Sequence, residues 1–540
     1  MSNDRGTAQH TAIVAGPDSP AATQERLALW LVFAGYIAIV VFAAAHHEMW
    51  RDEVRALSVA RDASLQGLFG ELRYDGHPAV WYLLLRAGYF LTGSRLVLPV
   101  MSLMVAAVAV YLLLRFAPFS WPQKILLVLG VFPLFEYSVV ARNYGIGMLL
   151  IIVLAIRYPD RLRRPIAWGL VLALLANTSA HAAVVAVAVL AGTGWDFLVA
   201  WRQGTTWSGG RINARRVWLG AAIAIAGLIA ARATVPTNQL PDEPAGMPRV
   251  QTVAHQMALS ALNPGRFLAP LLPSPVQALG DSDGPLRRST AQALAIDAIL
   301  LLIVAGLWGE WSLLLIVVLA VSGSGALFRT IYGPHMRHLG LMWFVFVLAY
   351  WEVARRERPG GGATTARRRR TLWTLAVPLT AAMALQAVEG IRRVRQDYTS
   401  SWSSGKAVAE LVQRPEYRDA VVMATHDPWL QTLPYYTQNR LYFHNQRRFE
   451  TYVHLGAPYF GDNSFPYLVA TADTLAMTIR SPILMLVSDS DLVHASAADA
   501  QSLQRRSDEV AALNHVIGDE SYHVFRLRNA ADSSATRRAY

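Results

Sequence analysis

The chain has 540 residues, of which 54% are apolar and 16% charged, with a formal net charge of +12, a balance shifted toward lipid rather than water. The positive excess is arginine in short loops between apolar runs, a placement that sets membrane orientation, and no basic-aromatic groove accompanies it, so a nucleic-acid partner is not expected. There is no cysteine, which excludes disulfides and thiol catalysis.

In chain order, residues 1–26 read as a cytoplasmic tail. The apolar run at 27–45 ends in Ala43-Ala44-Ala45, but about 19 residues exceed the usual signal-peptide core of about 7–15, so it reads as an uncleaved helix. Further spans are expected at 95–115, 123–140, 143–157, 164–181, 183–200, 217–233, 291–308, 310–328, 338–354 and 371–389. That makes about eleven crossings of a hydrocarbon core about 30 Å thick. Arg115 with Lys124, Arg157–Arg164, Arg202–Arg216 and Arg355–Arg370 belong on the cytoplasmic side. Working back from them, loops 46–94 and 234–290 and the stretch 390–540 fall outside the cytoplasm.

Counting the apolar run at 78–91 as another crossing would reverse every later basic loop. It reads instead as a half-embedded helix on the outer side, since Arg86 in its middle would be costly deep in lipid. Before it, Val54, Leu57, Leu65, Leu68, Phe69 and Leu72 recur at near-helical spacing, as in an amphipathic helix on a membrane surface. The turn at 309–310 is tight and cytoplasmic, and Gly360–Gly362 with Arg367–Arg370 reads as a linker. In the tail, strands are expected at 420–424, 440–444, 483–488 and 522–527, with helices at 405–413, 427–436 and 497–513, an α/β alternation. The fold class is therefore a polytopic α-helical membrane protein of the cytoplasmic (inner) membrane with an extracytoplasmic soluble α/β domain at 390–540. No internal repeat is evident, which weakens a transporter reading.

Four clusters sit at outer helix ends. In Trp50-Arg51-Asp52-Glu53, adjacent carboxylates at a membrane boundary suit a general base or a metal ligand; a helix start with acidic residues in its first turn is the plainer reading. Tyr74-Asp75-Gly76-His77-Pro78 places an imidazole and a carboxylate at the interface, or simply makes a turn before a helix. Glu136-Tyr137-Ser138 and Ala141-Arg142-Asn143-Tyr144 put an arginine against the positive-inside bias, which phosphate binding or headgroup anchoring would explain. Tyr332-Gly333-Pro334-His335-Met336-Arg337-His338 offers cations to an anionic leaving group. His335 and His338 are spaced only weakly like metal ligands. His181 alone reads as a packed histidine, Asp297 inside a span is a functional suspect, and Thr425-His426-Asp427 is explained by helix capping.

Taken together these clusters resemble the GT-C superfamily of membrane glycosyltransferases, in particular its bacterial members related to protein mannosyltransferases and to the aminoarabinose transferase of lipid A. The matching positions are Asp52-Glu53 after the first span, His77-Pro78 opening the half-embedded helix, Arg142-x-Tyr144 at a later outer turn, and the Thr-x-x-His ending at His181. Ala79 departs from the family's second proline. The resemblance covers about residues 27–200 well and the rest in outline. It implies transfer of a sugar, with inversion, from a polyprenyl-phosphate donor to an envelope glycan, lipid or protein acceptor. Asp52 would be the base and Glu53 its orienting partner. Asp75, His77, Glu136, Arg142, Tyr144, His181, Arg337 and His338 would meet the donor, and a divalent metal stays open. A surface-polysaccharide ligase or polymerase centred on Arg337-His338, or a lipid or sugar transporter, are the alternatives.

Overall fold

The computed structural model describes residues 20–204, 206–207, 210–234, 249–272, 290–331, 333–357, 364–513 and 516–528. Tyr332, the Gly360–Gly362 linker and most of the 234–290 loop lie outside them.

Helical segments fall in each of the expected stretches, although 123–140 is interrupted, and a count of eleven crossings does not follow from them. The first ten helices are α1 (Pro20–His46), α2 (Arg51–Asp62), α3 (Leu65–Asp75), α4 (Val80–Thr92), α5 (Val97–Phe116), α6 (Trp121–Val128), α7 (Tyr144–Arg157), α8 (Pro165–Ala176), α9 (Ala180–Arg202) and α10 (Ala214–Arg232). A small hairpin, β1 (Thr206–Trp207) with β2 (Gly210–Arg211), joins α9 to α10. Then come α11 (Arg249–Leu262), α12 (Gly265–Leu268), α13 (Thr290–Gly306), α14 (Trp311–Thr330), α15 (Met336–Arg356), α16 (Thr365–Thr371) and α17 (Val377–Thr399). Among the described residues six helical segments are long and apolar enough to cross a membrane: those of α1, α5, α9, α10 and α14, and the run Thr365–Thr399. The chain is an integral membrane protein. Leu31, Leu91, Met104, Ile229, Leu301 and Val388 expose large apolar side chains along these and neighbouring helices, as lipid-facing surfaces require. By contrast α15 is buried from His338 through Val353 and forms the centre of the helical layer.

The stretch expected as one span at 123–140 is broken. Pro133 has no N–H to give to the carbonyl of residue 129, so the ladder opens. A π turn at Phe132–Glu136 follows, in which the Tyr137 N–H reaches the Phe132 carbonyl at 2.9 Å. The Tyr36 hydroxyl donates to the Pro133 carbonyl at 2.9 Å. At the same level α17 comes so close that a Cβ on Gly390 would lie 2.2 Å from the Leu129 carbonyl oxygen. The tight turn between α13 and α14 is present, with Gly309 at φ +91°, a conformation only glycine adopts without strain.

The two ends of the helical layer differ in charge. At one end Arg356 and Arg367 share Glu310, Thr371 donates to Glu357, and Arg161 binds Asp196 at 2.8 Å. At the other end lie the C-termini of α1 and α17 and the N-termini of α7, α9 and α15. The segment after α1 caps this second end. It forms two helices rather than one amphipathic helix, because Ser64 caps α3 by accepting from the Gly67 N–H at 3.0 Å. The apolar stretch at 78–91 is α4, packed against α2.

Beyond α17 the chain builds a six-stranded sheet. The elements of this region are β3 (Ser401–Ser403), α18 (Gly405–Val412), β4 (Val421–Ala424), a 3-10 turn (Asp427–Thr432), α19 (Leu433–Tyr436), β5 (Arg440–Phe443), β6 (Arg448–Phe449), α20 (Phe465–Thr478), β7 (Ile483–Ser488), α21 (Asp489–His494), α22 (Ala497–Arg506), β8 (Ser507–Leu513), β9 (Val516–Glu520) and β10 (Tyr522–Leu527). The order is β6-β5-β4-β7-β10-β8, parallel through β5, β4 and β7 and antiparallel elsewhere, while β3 pairs with β9 apart from it. Every residue of β7 is buried, as expected of a strand covered on both faces. In this region one expectation fails. The helix at 497–513 stops at Arg506, and Ser507–Leu513 is a strand paired antiparallel with β10.

The sheet rests on α2 and α3. Arg51 binds Asp519 at 2.6 Å and Glu520 at 3.4 Å and lies over the Trp429 ring, while the Met49 N–H donates to the Tyr436 hydroxyl at 2.7 Å. His454 meets Glu71 at 2.8 Å.

Candidate active site

Four sequence-distant segments converge at the end of the layer covered by α2. Trp50 is the N-cap of α2, and Asp52 and Glu53 occupy the first turn, where carboxylates suit the helix dipole. The two acids have opposite surroundings. Glu53 is fully buried: its Oε2 accepts from the Trp50 N–H at 3.2 Å and lies 3.1 Å from His47 Nε2, and its Oε1 accepts from the Ala141 N–H at 2.6 Å. His47 in turn meets Asp397 at 2.9 Å. Glu53 thus ties the start of α2 to the turn that carries Arg142 and to the end of α17. The Asp52 side chain keeps 38% of its surface accessible, and its carboxylate lies 3.0 Å from Arg142.

Asp52, Asp75, His77, Arg142 and Asn143 line one cleft of about 210 Å³, with Arg55 and Tyr82 behind Asp75. Arg55 donates to Asp75 at 2.7 Å, and the Tyr82 hydroxyl donates to the other carboxylate oxygen. Arg142 also reaches His77 Nε2 at 3.2 Å, which makes that nitrogen an acceptor and the ring neutral. Gly76, at φ +72°, is the left-handed residue that ends α3 and turns the chain so that His77 enters the cleft. The partial burial of Asp52 would by itself raise its pKa, but Arg142 and then Arg337, Arg51 and His77 hold it at about 2, below its ordinary 3.8. Burial, reinforced by Arg142, lowers His77 from 6.5 to about 4. Burial would raise Asp75, yet chiefly Arg55 keeps it low. The resting cleft therefore holds ionised carboxylates, fixed guanidinium charge and a neutral imidazole.

Arg337 spreads its guanidinium over the Trp50 ring at 4.6 Å, and its backbone carbonyl accepts from the Tyr137 hydroxyl at 2.6 Å. His338 stacks on His181 with ring centroids 4.6 Å apart, and Tyr144 lies 5.7 Å from His338 and 6.2 Å from His77. His181, His338 and Tyr144 thus form an aromatic floor next to the cleft rather than part of its lining. Glu136 sits half-buried at the end of the π turn and does not line the cleft. Asp297 accepts from the Gly265 N–H at 2.7 Å, an anchor for the described part of the 234–290 loop. Thr425 and His426 both contact Asp491, away from the cleft. Among the described residues no three His, Asp or Glu side chains are arranged to hold a metal ion; in the cleft, arginines occupy the carboxylates a metal would need.

Sequence reasoning missed several partners. Arg55 carried a signal, since it is one turn beyond Asp52 on the same helix face. The His47–Asp397 contact joins residues 350 positions apart, and nothing local announces it. Trp50 was read only as part of a motif, whereas its ring carries Arg337.

No protein-family model matches the sequence, and no curated protein matches it. Among solved structures, matches include the crystal structure of ArnT from Cupriavidus metallidurans bound to undecaprenyl phosphate, with a TM-score of 0.41 and 15% identity over 93% of this chain and 98% of that one. Likeness at that level leaves the reading of the site to its own side chains.

Proposed function

We propose that the chain is a membrane glycosyltransferase that moves a sugar from a polyprenyl-phosphate donor to an acceptor hydroxyl on the outer face of the cytoplasmic membrane. The observation that carries this is the accessible Asp52 carboxylate 3.0 Å from Arg142, in a cleft at the helix ends opposite the arginine-rich Glu310 end. Positive-inside orientation puts the cleft outside the cytoplasm. The isoprenoid lies among lipid-facing helices, and its phosphate meets Arg142, whose planar fork fits phosphate oxygens, with Arg337 beside it.

Asp52 takes the proton of the acceptor hydroxyl, that oxygen bonds to the anomeric carbon from the opposite face, and the carbon–phosphate oxygen bond breaks. The electron pair leaves with the lipid phosphate, and the arginines stabilise its charge. The product is inverted. An ion-paired carboxylate at about 2 is a weak base. When the donor phosphate takes Arg142 it competes with Asp52 for the cation, so the carboxylate becomes more basic only once substrate is present. Glu53, inaccessible and fully engaged, positions α2 against the Arg142 turn.

The test is an Asp52→Asn variant supplied with a polyprenyl-phosphate sugar in membranes. Transfer should fall by about 10²–10⁴-fold, the usual contribution of a general base, with donor binding retained. Transfer at the wild-type rate by a normally inserted variant removes Asp52 from the mechanism.

A further inference from the structure

A second, larger cavity of about 870 Å³ lies where the sheet meets the membrane-surface helices, and none of its lining residues lines the Asp52 cleft. Its walls carry Arg61 from the end of α2, Arg95 from the turn between α4 and α5, and Arg418 from the loop before β4, and no described residue that lines it is acidic. Arg61 is paired with Asp62 through two hydrogen bonds of 2.7 Å, so the uncompensated charge comes from the other two. Arg95 donates to the Tyr435 carbonyl and lies over the Tyr435 ring at 5.3 Å, and has no carboxylate partner among the described residues. The Arg418 guanidinium makes no ion pair among them either. The cavity is thus a basic site with spare charge.

Its position says what kind of anion it suits. Arg95 stands between Leu91 and Leu96, which are 86% and 58% exposed, with Phe90 at 64% beside them. Exposed apolar side chains on a chain that crosses the membrane suit contact with lipid, which would set the mouth of the cavity at the boundary between hydrocarbon and water, where lipid phosphates reside. The N-terminus of α5, just beyond Arg95, adds a favourable dipole. Arg61 follows Asp52 by nine positions on α2, roughly 14 Å along the helix, which makes this a separate site.

We propose that this cavity binds the phosphate headgroup of an anionic membrane lipid. Arg61 and Arg95 approach it from the membrane-surface helices and Arg418 from the sheet region, so a bound headgroup bridges the two layers. The site does not depend on the chemistry at Asp52.

The experiment measures lipid retention by the full-length protein in detergent, using native mass spectrometry with added phosphatidylglycerol or phosphatidylcholine. Wild-type protein should retain phosphatidylglycerol selectively, and Arg418→Gln should weaken that retention by about tenfold or more, with phosphatidylcholine unaffected. Arg418 is exposed and its side chain gives up no hydrogen bond or ion pair among the described residues, so this variant should unfold at the wild-type temperature in the absence of lipid. Arg95→Gln combined with it should abolish the selectivity. Equal phosphatidylglycerol retention by wild type and both variants overturns the proposal. Displacement of the lipid by inorganic phosphate at equal concentration also overturns it, because the site then belongs to a soluble anion.

Discussion

Between pH 6.5 and about 4 the unfolded chain takes up a proton at His77 that the folded chain refuses, because burial and Arg142 lower the folded value. Stability therefore falls as the pH drops through that window, since the unfolded state binds more protons. A His77→Gln variant should flatten this part of the pH–stability curve in detergent, and an unchanged slope would mean that His77 is not held neutral. Asp52 acts lower on the scale. Its ion pair contributes above pH 3.8 and is lost as the pH falls toward about 2. At this scale the sequence was informative: Asp52, His77 and Arg142 each stood out by charge or turn chemistry at an outer helix end. What could not be read was the division of labour between Asp52 and Glu53. That depends on which acid meets His47 and the Ala141 N–H, and so on tertiary contacts.

At the scale of elements, the bridge of His47 between Glu53 and Asp397 fastens α1, α2 and α17 together. Burial opposes charge on His47, but the two carboxylates hold its pKa well above 6.5. Its contribution is complete below pH 6.5 and is lost as the pH rises through that raised value. His47→Leu leaves two buried acids without their cation, which should cost about 3–5 kcal/mol. Chemical unfolding in detergent measures it, and a loss below about 1 kcal/mol would show that the bridge is not structural. Helix positions followed from apolar run length, because the lipid-facing requirement is local. The break at Pro133 was visible in the residue but not in the hydropathy. Ser507–Leu513 was misread because an Ala-rich stretch after a helix keeps a helical pattern, and only its pairing with β10 makes it a strand.

Across the whole molecule, the sheet beyond α17 acts as a roof that fixes α2 from above while the helical layer fixes it from below. Arg51 is the main rivet, held by Asp519 and by the buried Glu520. Burial raises Glu520 to about 6 despite Arg51, so an Arg51→Ala change should raise it further and loosen the roof by about 1–3 kcal/mol. Hydrogen exchange along α2 should then quicken, and unchanged protection would mean that the other contacts suffice. None of this docking was legible in advance, since Arg51 and Asp519 lie 468 positions apart and each has an ordinary local explanation.

The direct measurement is a cryo-EM structure of the full-length protein in a lipid nanodisc with a polyprenyl-phosphate ligand. The account predicts phosphate density against Arg142 and Arg337, with the Asp52 carboxylate released from Arg142 and turned toward open space beside it. Phosphate bound at the Glu310 end, or an Asp52–Arg142 pair left intact beneath a bound ligand, would contradict it.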